Sequence, residues 1–280
     1  MSRRLDGKHM NDSRLPVLFI SHGSPMLVFE PGRSGPALRA MGEQLCAQGG
    51  IRAVLVMSPH WMSAGVEVMS GPRPATWHDF GGFPEPLYRL QYPAPGAPGI
   101  AQQVIALLQA AGIPVQADPA RPYDHGAWMP LLHMLPQAEL PVLQVSLPAG
   151  FEPAQLYAMG QALAGLREQG VLIVASGSMT HNLREFFTGR PEWDAAPASY
   201  VQEFSAWVEQ ALLAQDRERL FDYRRRAPHA VRAHPSDEHY LPLYFALGAA
   251  GWGRPGASGP EYFNREVMYS YLAMDSIAFA

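Results

Sequence analysis

The chain has 280 residues, 48% of them hydrophobic, so it can bury a sizeable core in one or two domains. Its 21 basic and 25 acidic residues leave a net charge of -4 with no basic stripe, which speaks against nucleic acid as a partner. A single cysteine, Cys46, excludes an internal disulfide and fits a cytoplasmic setting, and no apolar stretch approaches the ~20 residues of a membrane span.

Residues 1–14 are polar, carry His9 and read as a frayed N-terminal arm ahead of a domain over 15–280. The run "PVLFI" (16–20) is the first expected strand, followed by a helix over 36–48 in which Cys46 reads as a packed thiol. Further strands are expected at 53–58, 65–69, 114–117, 141–147 and 171–176, with a last strand or pair inside 265–279. Helices are expected at 97–112, 127–135, 153–169, 198–214 and 239–250, the third helix of the chain (127–135) capped by Asp124. "FGGFPEPLYRLQYPAPGAPG" and "GWGRPGASGP" read as loops. Strands that are continuous apolar runs, alternating with helices, imply a single α/β domain. Its sheet should be mixed but mostly parallel, sandwiched between helices in three layers.

The chain has ten histidines, and their placement is more informative than their number. "VLFISHGSP" puts His22 two residues past the first expected strand, and "VLVMSPHW" puts His60 two residues past the second. "VLIVASGSMTHNL" puts His181 beyond another strand after a turn of small residues. In open α/β sheets ligands collect outside the carboxyl ends of the strands, so these imidazoles can converge while distant in sequence. In "YDHGAWMPLLHMLP", His125 lies in the loop half, where it can face the site, whereas His133 reads as a satisfied boundary residue. His78, in an aromatic glycine-rich loop, suits either a wall around a flat ligand or a loop held by backbone contacts. His229 reads as a surface residue. "HPSDEHYLPLYFALGAAG" offers His239 or Glu238 at a helix start and His234 as a loop residue. Several neutral nitrogens with a nearby carboxylate suit a divalent transition metal such as Fe(II) or Zn(II). HExxH, GxSxG, P-loop and Rossmann glycine motifs are all missing, which weakens serine-hydrolase, nucleotide and dinucleotide readings.

Taken in order, "LFISHGSPML", "VMSPHW", "WHDFGGFPEPLYRLQYPAPG", "YDHGAWMPLLHMLP", "VASGSMTHNL" and "DEHYLPLYFALGAAG" resemble the class III extradiol ring-cleavage dioxygenases, LigB-like, in the DOPA-dioxygenase branch. The resemblance runs from about residue 16 to 275. It implies a non-haem metal enzyme, with Fe(II) for catalysis and Zn(II) bound as purified. The metal would be held by His22, His60 and His239, with Glu238 as the alternative third ligand. His181 would act as acid–base catalyst and join the metal in the resting site, and His125 would contact substrate or move protons. The implied partners are a small catechol and O2, with a homo-oligomer left open. Trp61, Trp77, Phe80, Phe83 and Trp128 are candidate aromatic walls, and Arg89 or Arg184 a candidate carboxylate anchor. Two rival readings use the same residues: a zinc-dependent hydrolase, and a non-catalytic Memo-type metal- or ligand-binding protein.

Overall fold

A computed structural model of the protein describes residues 14–280, so the arm expected over 1–14, with His9, lies outside the described residues apart from Arg14. In chain order the elements begin β1 Val17–Ser21, α1 Ser34–Gln48, β2 Ala53–Ser63, β3 Val66–Met69, α2 Pro98–Ala110, β4 Val115–Asp118 and α3 His125–Met134. They continue with β5 Val142–Pro148, α4 Pro153–Leu163, β6 Val171–Gly177, α5 Leu183–Gly189, α6 Ser199–Leu213, α7 Arg217–Phe221, α8 Tyr223–Arg226 and α9 Ala230–Ala233. The last are α10 Pro242–Ala250, β7 Glu261–Asn264, β8 Val267–Met268, β9 Leu272–Ala273 and β10 Ser276–Phe279.

One eight-stranded sheet runs β4-β3-β5-β2-β6-β1-β10-β7. Its centre, β5-β2-β6-β1, is parallel, and the pairs at β3–β5, β1–β10 and β10–β7 are antiparallel. The strand period of two explains the layering. In β1, Val17 and Phe19 enter one core with α2, α4, α6 and α10, while Leu18 and Ile20 enter the other with α1 and α3. Both faces are therefore covered, as continuous apolar strands require. This is the mixed, mostly parallel three-layer α/β architecture expected from the sequence.

The helices come unusually close at glycines. A Cβ at Gly160 would run into Phe245 O, and one at Gly248 into Tyr157 O, so α4 and α10 meet backbone to backbone. Gly42 does the same for α1 against Met134 O of α3.

Four expectations need correction. β2 does not stop at residue 58: it passes through His60 to Ser63, with its register against β5 shifting between Met57 and Met62. Pro59, which has no N–H to donate, sits in that irregular stretch. The last helix starts at Pro242, not 239, so His239 lies in the turn before it. Pro favours the first helical positions, which accounts for the boundary. Cys46 is exposed rather than packed, because Leu45 takes the inward position of α1. The C-terminal pairing is larger than expected and begins at Glu261.

Among the described residues no helix is long and apolar enough to cross a membrane.

Candidate functional site

Five histidines meet at the carboxyl ends of the central strands. His22 follows β1, His60 sits in the irregular part of β2, His181 follows β6, His125 opens α3 and His239 precedes α10. The rings of His22 and His239 are 5.4 Å apart between centroids, those of His60 and His239 5.0 Å, and those of His60 and His125 3.9 Å. His181 stacks on His239 at 3.5 Å. Donor atoms of His22, His60 and His125 all lie within 4.8 Å of one another, and so do those of His181, Glu238 and His239.

Hydrogen bonding fixes which nitrogen of each ring points inward. Ser176 Oγ donates to the carbonyl of Gly126 at 2.5 Å, since a carbonyl only accepts. The same hydroxyl must then accept from His22 Nδ1, 2.9 Å away, leaving a lone pair on His22 Nε2. Glu238 Oε1 accepts from His239 Nδ1 at 3.0 Å, and Asp79 Oδ1 accepts from His125 Nδ1 at 3.0 Å. Each of these rings is thus backed at Nδ1 and open at Nε2. His60 Nε2 lies 3.1 Å from His22 Nε2, so these two nitrogens also face each other. Its own Nδ1 is 4.0 Å from Asp79 Oδ2, the far oxygen of the carboxylate that holds His125.

Burial keeps four of these rings neutral. Burial, reinforced by the neighbouring imidazoles, holds His22 and His239 well below the ordinary histidine value. Burial and then His125 lower His60 to about 3. Burial lowers His181 to about 4, although Glu238 pulls the other way. Burial alone would raise the Asp79 carboxyl, but the hydrogen bonds it accepts from His125 outweigh it and hold it below its usual value. Neutral imidazoles with open nitrogens, His22 and His239 among them oriented by a hydrogen bond on the opposite nitrogen, are the state a transition metal binds. The residues present therefore fit such an ion.

Local sequence explains the convergence. A Cβ at Gly126 would collide with Ser58 Oγ and crowd His60 Cδ2, so glycine lets the start of α3 press against β2. A Cβ at Gly177 would collide with His239 O, which accepts from Ser178 N at 2.8 Å. Asp124 caps α3 through Ala127 N, as expected, and its other oxygen accepts from Gln144 Nε2 at 2.7 Å.

The remaining histidines stand apart. His78 Nε2 donates to Leu90 O, so it is the loop held by backbone contacts. His133 donates to Leu27 O, as its boundary reading expected. His229 forms an exposed pair with Glu203. His234 is a loop residue, as expected, and is fully buried: its ring donates to Met179 O and braces the turn that leads to His181. Of the expected aromatic walls, Phe80 comes closest to the cluster, edge-on to His125 at 5.6 Å, with Phe83 and Trp128 behind it. Trp61 and Trp77 instead stack on the Arg121 guanidinium, at 4.7 and 5.0 Å. Arg89 is taken up by an exposed pair with Glu85, and Arg184 is exposed.

Sequence reading missed Asp79, Ser176 and Arg121, and it saw Glu238 only as a rival ligand. Arg121 donates to His60 O at 3.1 Å and to Asp124 Oδ2 at 3.2 Å, tying β2 to the α3 cap. The "WHDFGG" segment carried a signal for Asp79, a carboxylate next to a histidine in a rigid aromatic loop.

Residues 16–279 match the family described as the catalytic LigB subunit of aromatic ring-opening dioxygenase. The chain is 38% identical over 244 residues to a 4,5-DOPA dioxygenase extradiol of Escherichia coli K12, covering 86% of this chain and 87% of that one. It is likewise 38% identical over 242 residues to the 4,5-DOPA dioxygenase extradiol of Beta vulgaris, covering 86% and 88% of the two chains. A crystal structure of an uncharacterized Escherichia coli K12 protein superposes with a TM-score of 0.78 at 31% identity, over 95% of this chain and 100% of that one.

Proposed function

The chain belongs to the LigB family of aromatic ring-opening dioxygenases and is an extradiol ring-opening enzyme; from that premise we propose that its substrate is a small catechol, DOPA-like or simpler. The catalytic domain spans 15–280. The observation that carries the reading is the cluster of imidazoles at the strand ends, in which His22, His125 and His239 are each held from behind at Nδ1 and leave Nε2 open. The Escherichia coli and Beta vulgaris relatives are named as dioxygenases of DOPA, which supports the catechol class.

His22, His60 and His239 are assigned as the ligands, the set that the resemblance of the sequence implies and whose rings lie within 5.4 Å of one another between centroids. Glu238 is assigned to backing His239, because its Oε1 is already committed to His239 Nδ1. The metal is Fe(II) in the active enzyme, with Zn(II) able to take the same nitrogens. Held there, Fe(II) would supply Lewis acidity toward a catechol and a redox path to O2.

The chain's own groups handle protons and packing. His181, neutral and flat against His239, accepts a proton from a catechol hydroxyl as it binds. His125 Nε2, with Nδ1–H committed to Asp79, accepts or returns a proton on the other side of the cluster. Phe80 offers its ring edge to His125 and lines the approach for a flat substrate. Both atoms of O2 enter the product, which carries a carboxylate at one end and an aldehyde at the other.

The test is to strip the protein of metal, reload it with Fe(II) without oxygen, and expose it to L-DOPA and simpler catechols. Expected are one O2 consumed per catechol and a yellow ring-opened chromophore. A protein that consumes no O2 with any catechol would move the assignment to a metal hydrolase on the same histidines.

A further inference from the structure

Asp79 Oδ1 accepts two hydrogen bonds from a single residue, one from the His125 backbone N–H at 2.9 Å and one from His125 Nδ1 at 3.0 Å. A carboxylate gripping main chain and side chain together fixes the rotamer of the ring as well as its tautomer. It also leaves Nε2 with a lone pair turned toward the cluster. The Asp79 side chain is 8% exposed, and the residues just before it are tied down by hydrogen bonds. Trp77 N donates to Tyr123 O at 2.8 Å, Trp77 O accepts from Trp128 Nε1 at 2.9 Å, and His78 Nε2 donates to Leu90 O at 3.0 Å. Phe80, the next residue, packs its ring against His125. The far oxygen, Oδ2, is turned toward His60 Nδ1 at 4.0 Å. Substrate-facing rings set by a partner held this firmly are what precise proton transfer needs.

We propose that Asp79 is the positioning residue of the site. It fixes the His125 ring with Nδ1–H on its carboxylate, so that Nε2 is the nitrogen that faces each substrate and through which His125 exchanges a proton. The catalytic half of this statement rests on the ring-opening reading above; the tautomer half does not. When His125 takes a proton at Nε2, the new imidazolium charge lies against the Asp79 carboxylate, and the proton returns through the same nitrogen. No proton passes to Asp79.

The test uses Zn(II)-loaded protein carrying 15N-labelled histidine, with His125 assigned by its loss in His125→Gln. In the wild type, long-range 1H–15N correlations should show Nδ1 protonated and Nε2 bare. Asp79→Ala should give mixed or reversed tautomers at His125. With L-DOPA on the Fe(II) enzyme, kcat should fall about 10–100-fold while KM changes little. Asp79→Asn keeps an oxygen that can accept both bonds and so preserves the fold. Its Nδ1–H resonance should move upfield as the acceptor loses its charge. A bare Nδ1 in the wild type, an unmoved resonance in Asp79→Asn, or an unchanged tautomer and kcat in Asp79→Ala would overturn the proposal. If no catechol is turned over, the ring-opening reading falls, while the tautomer assignment still stands or falls on the NMR spectrum.

Discussion

At the scale of single residues, Glu238 and His239 divide the work that one of them was expected to do. Glu238 Oε1 accepts from His239 Nδ1 and also from Ser236 Oγ, so its carboxylate lies behind the ring and not in front of it. Glu238→Gln should therefore weaken metal binding by about 10–100-fold without abolishing it, whereas His239→Ala should lose the metal outright. Competition against a chelator of known affinity separates the two. Equal and complete loss in both variants would make Glu238 a ligand. His181→Ala should keep near-stoichiometric metal yet open no ring, read by metal analysis beside O2 uptake. Of the five converging histidines, His22, His60 and His181 were legible because each sits beside small residues near the end of an apolar run, whereas His239 and the role of His125 came from the resemblance. Their partners were not legible. Ser176 looks like one more strand residue and Asp79 like one more loop carboxylate, since nothing local in the chain records that they face His22 and His125 across long sequence separations.

At the scale of elements, the central strands were readable from their β-branched runs, because a parallel strand buried on both faces has little room for anything else. The short helices α5, α7, α8 and α9 were not, since four to seven residues hold too little periodicity. The start of α10 was missed by three residues although Pro242 marked it. That error matters mechanically. His239 is carried by a turn clamped between Ser178 N and the α10 entry, and Gly177 is what lets the two backbones touch. Gly177→Ala should cost about 1–3 kcal/mol in stability through overpacking. Because the clash is with His239 O, it should lower metal affinity as well. Gly248→Ala, which forces α10 away from α4, should cost a similar amount while perturbing the metal less. Urea melts with metal titrations on both variants check this, and equal metal affinities would remove Gly177 from its supporting role.

At the scale of the whole molecule, the site sets the acid behaviour of the metal-free protein. Burial lowers His60 and His234 to about 3 and His181 to about 4, from an ordinary 6.5. Below pH 6.5 the unfolded chain takes up protons that these folded rings refuse. Stability is therefore fully present above that value and falls as pH drops toward 3, at about 1.4 kcal/mol per pH unit for each group. Asp275 works the other way. Burial raises its carboxyl from 3.8 to about 7, so the folded state holds a proton that the unfolded state releases, and stability rises on acidification across that window. Several histidines outweigh one carboxyl, so denaturation midpoints of metal-free protein should drop from about pH 7 to about pH 5. Asp275→Asn should make that drop steeper; a shallower drop would reverse the sign assigned to Asp275. The layered sheet, the glycine-tight helix crossings and the loop carrying Asp79 all converge on one function, holding imidazole nitrogens open to an ion and a flat substrate. The most direct measurement of that claim is O2 consumption by anaerobically Fe(II)-loaded protein given L-DOPA, run beside His181→Ala. The account predicts stoichiometric O2 uptake and a yellow product in the wild type and neither in the variant. Ring opening that survives His181→Ala, or a wild type that takes up no O2 with any catechol, would contradict it.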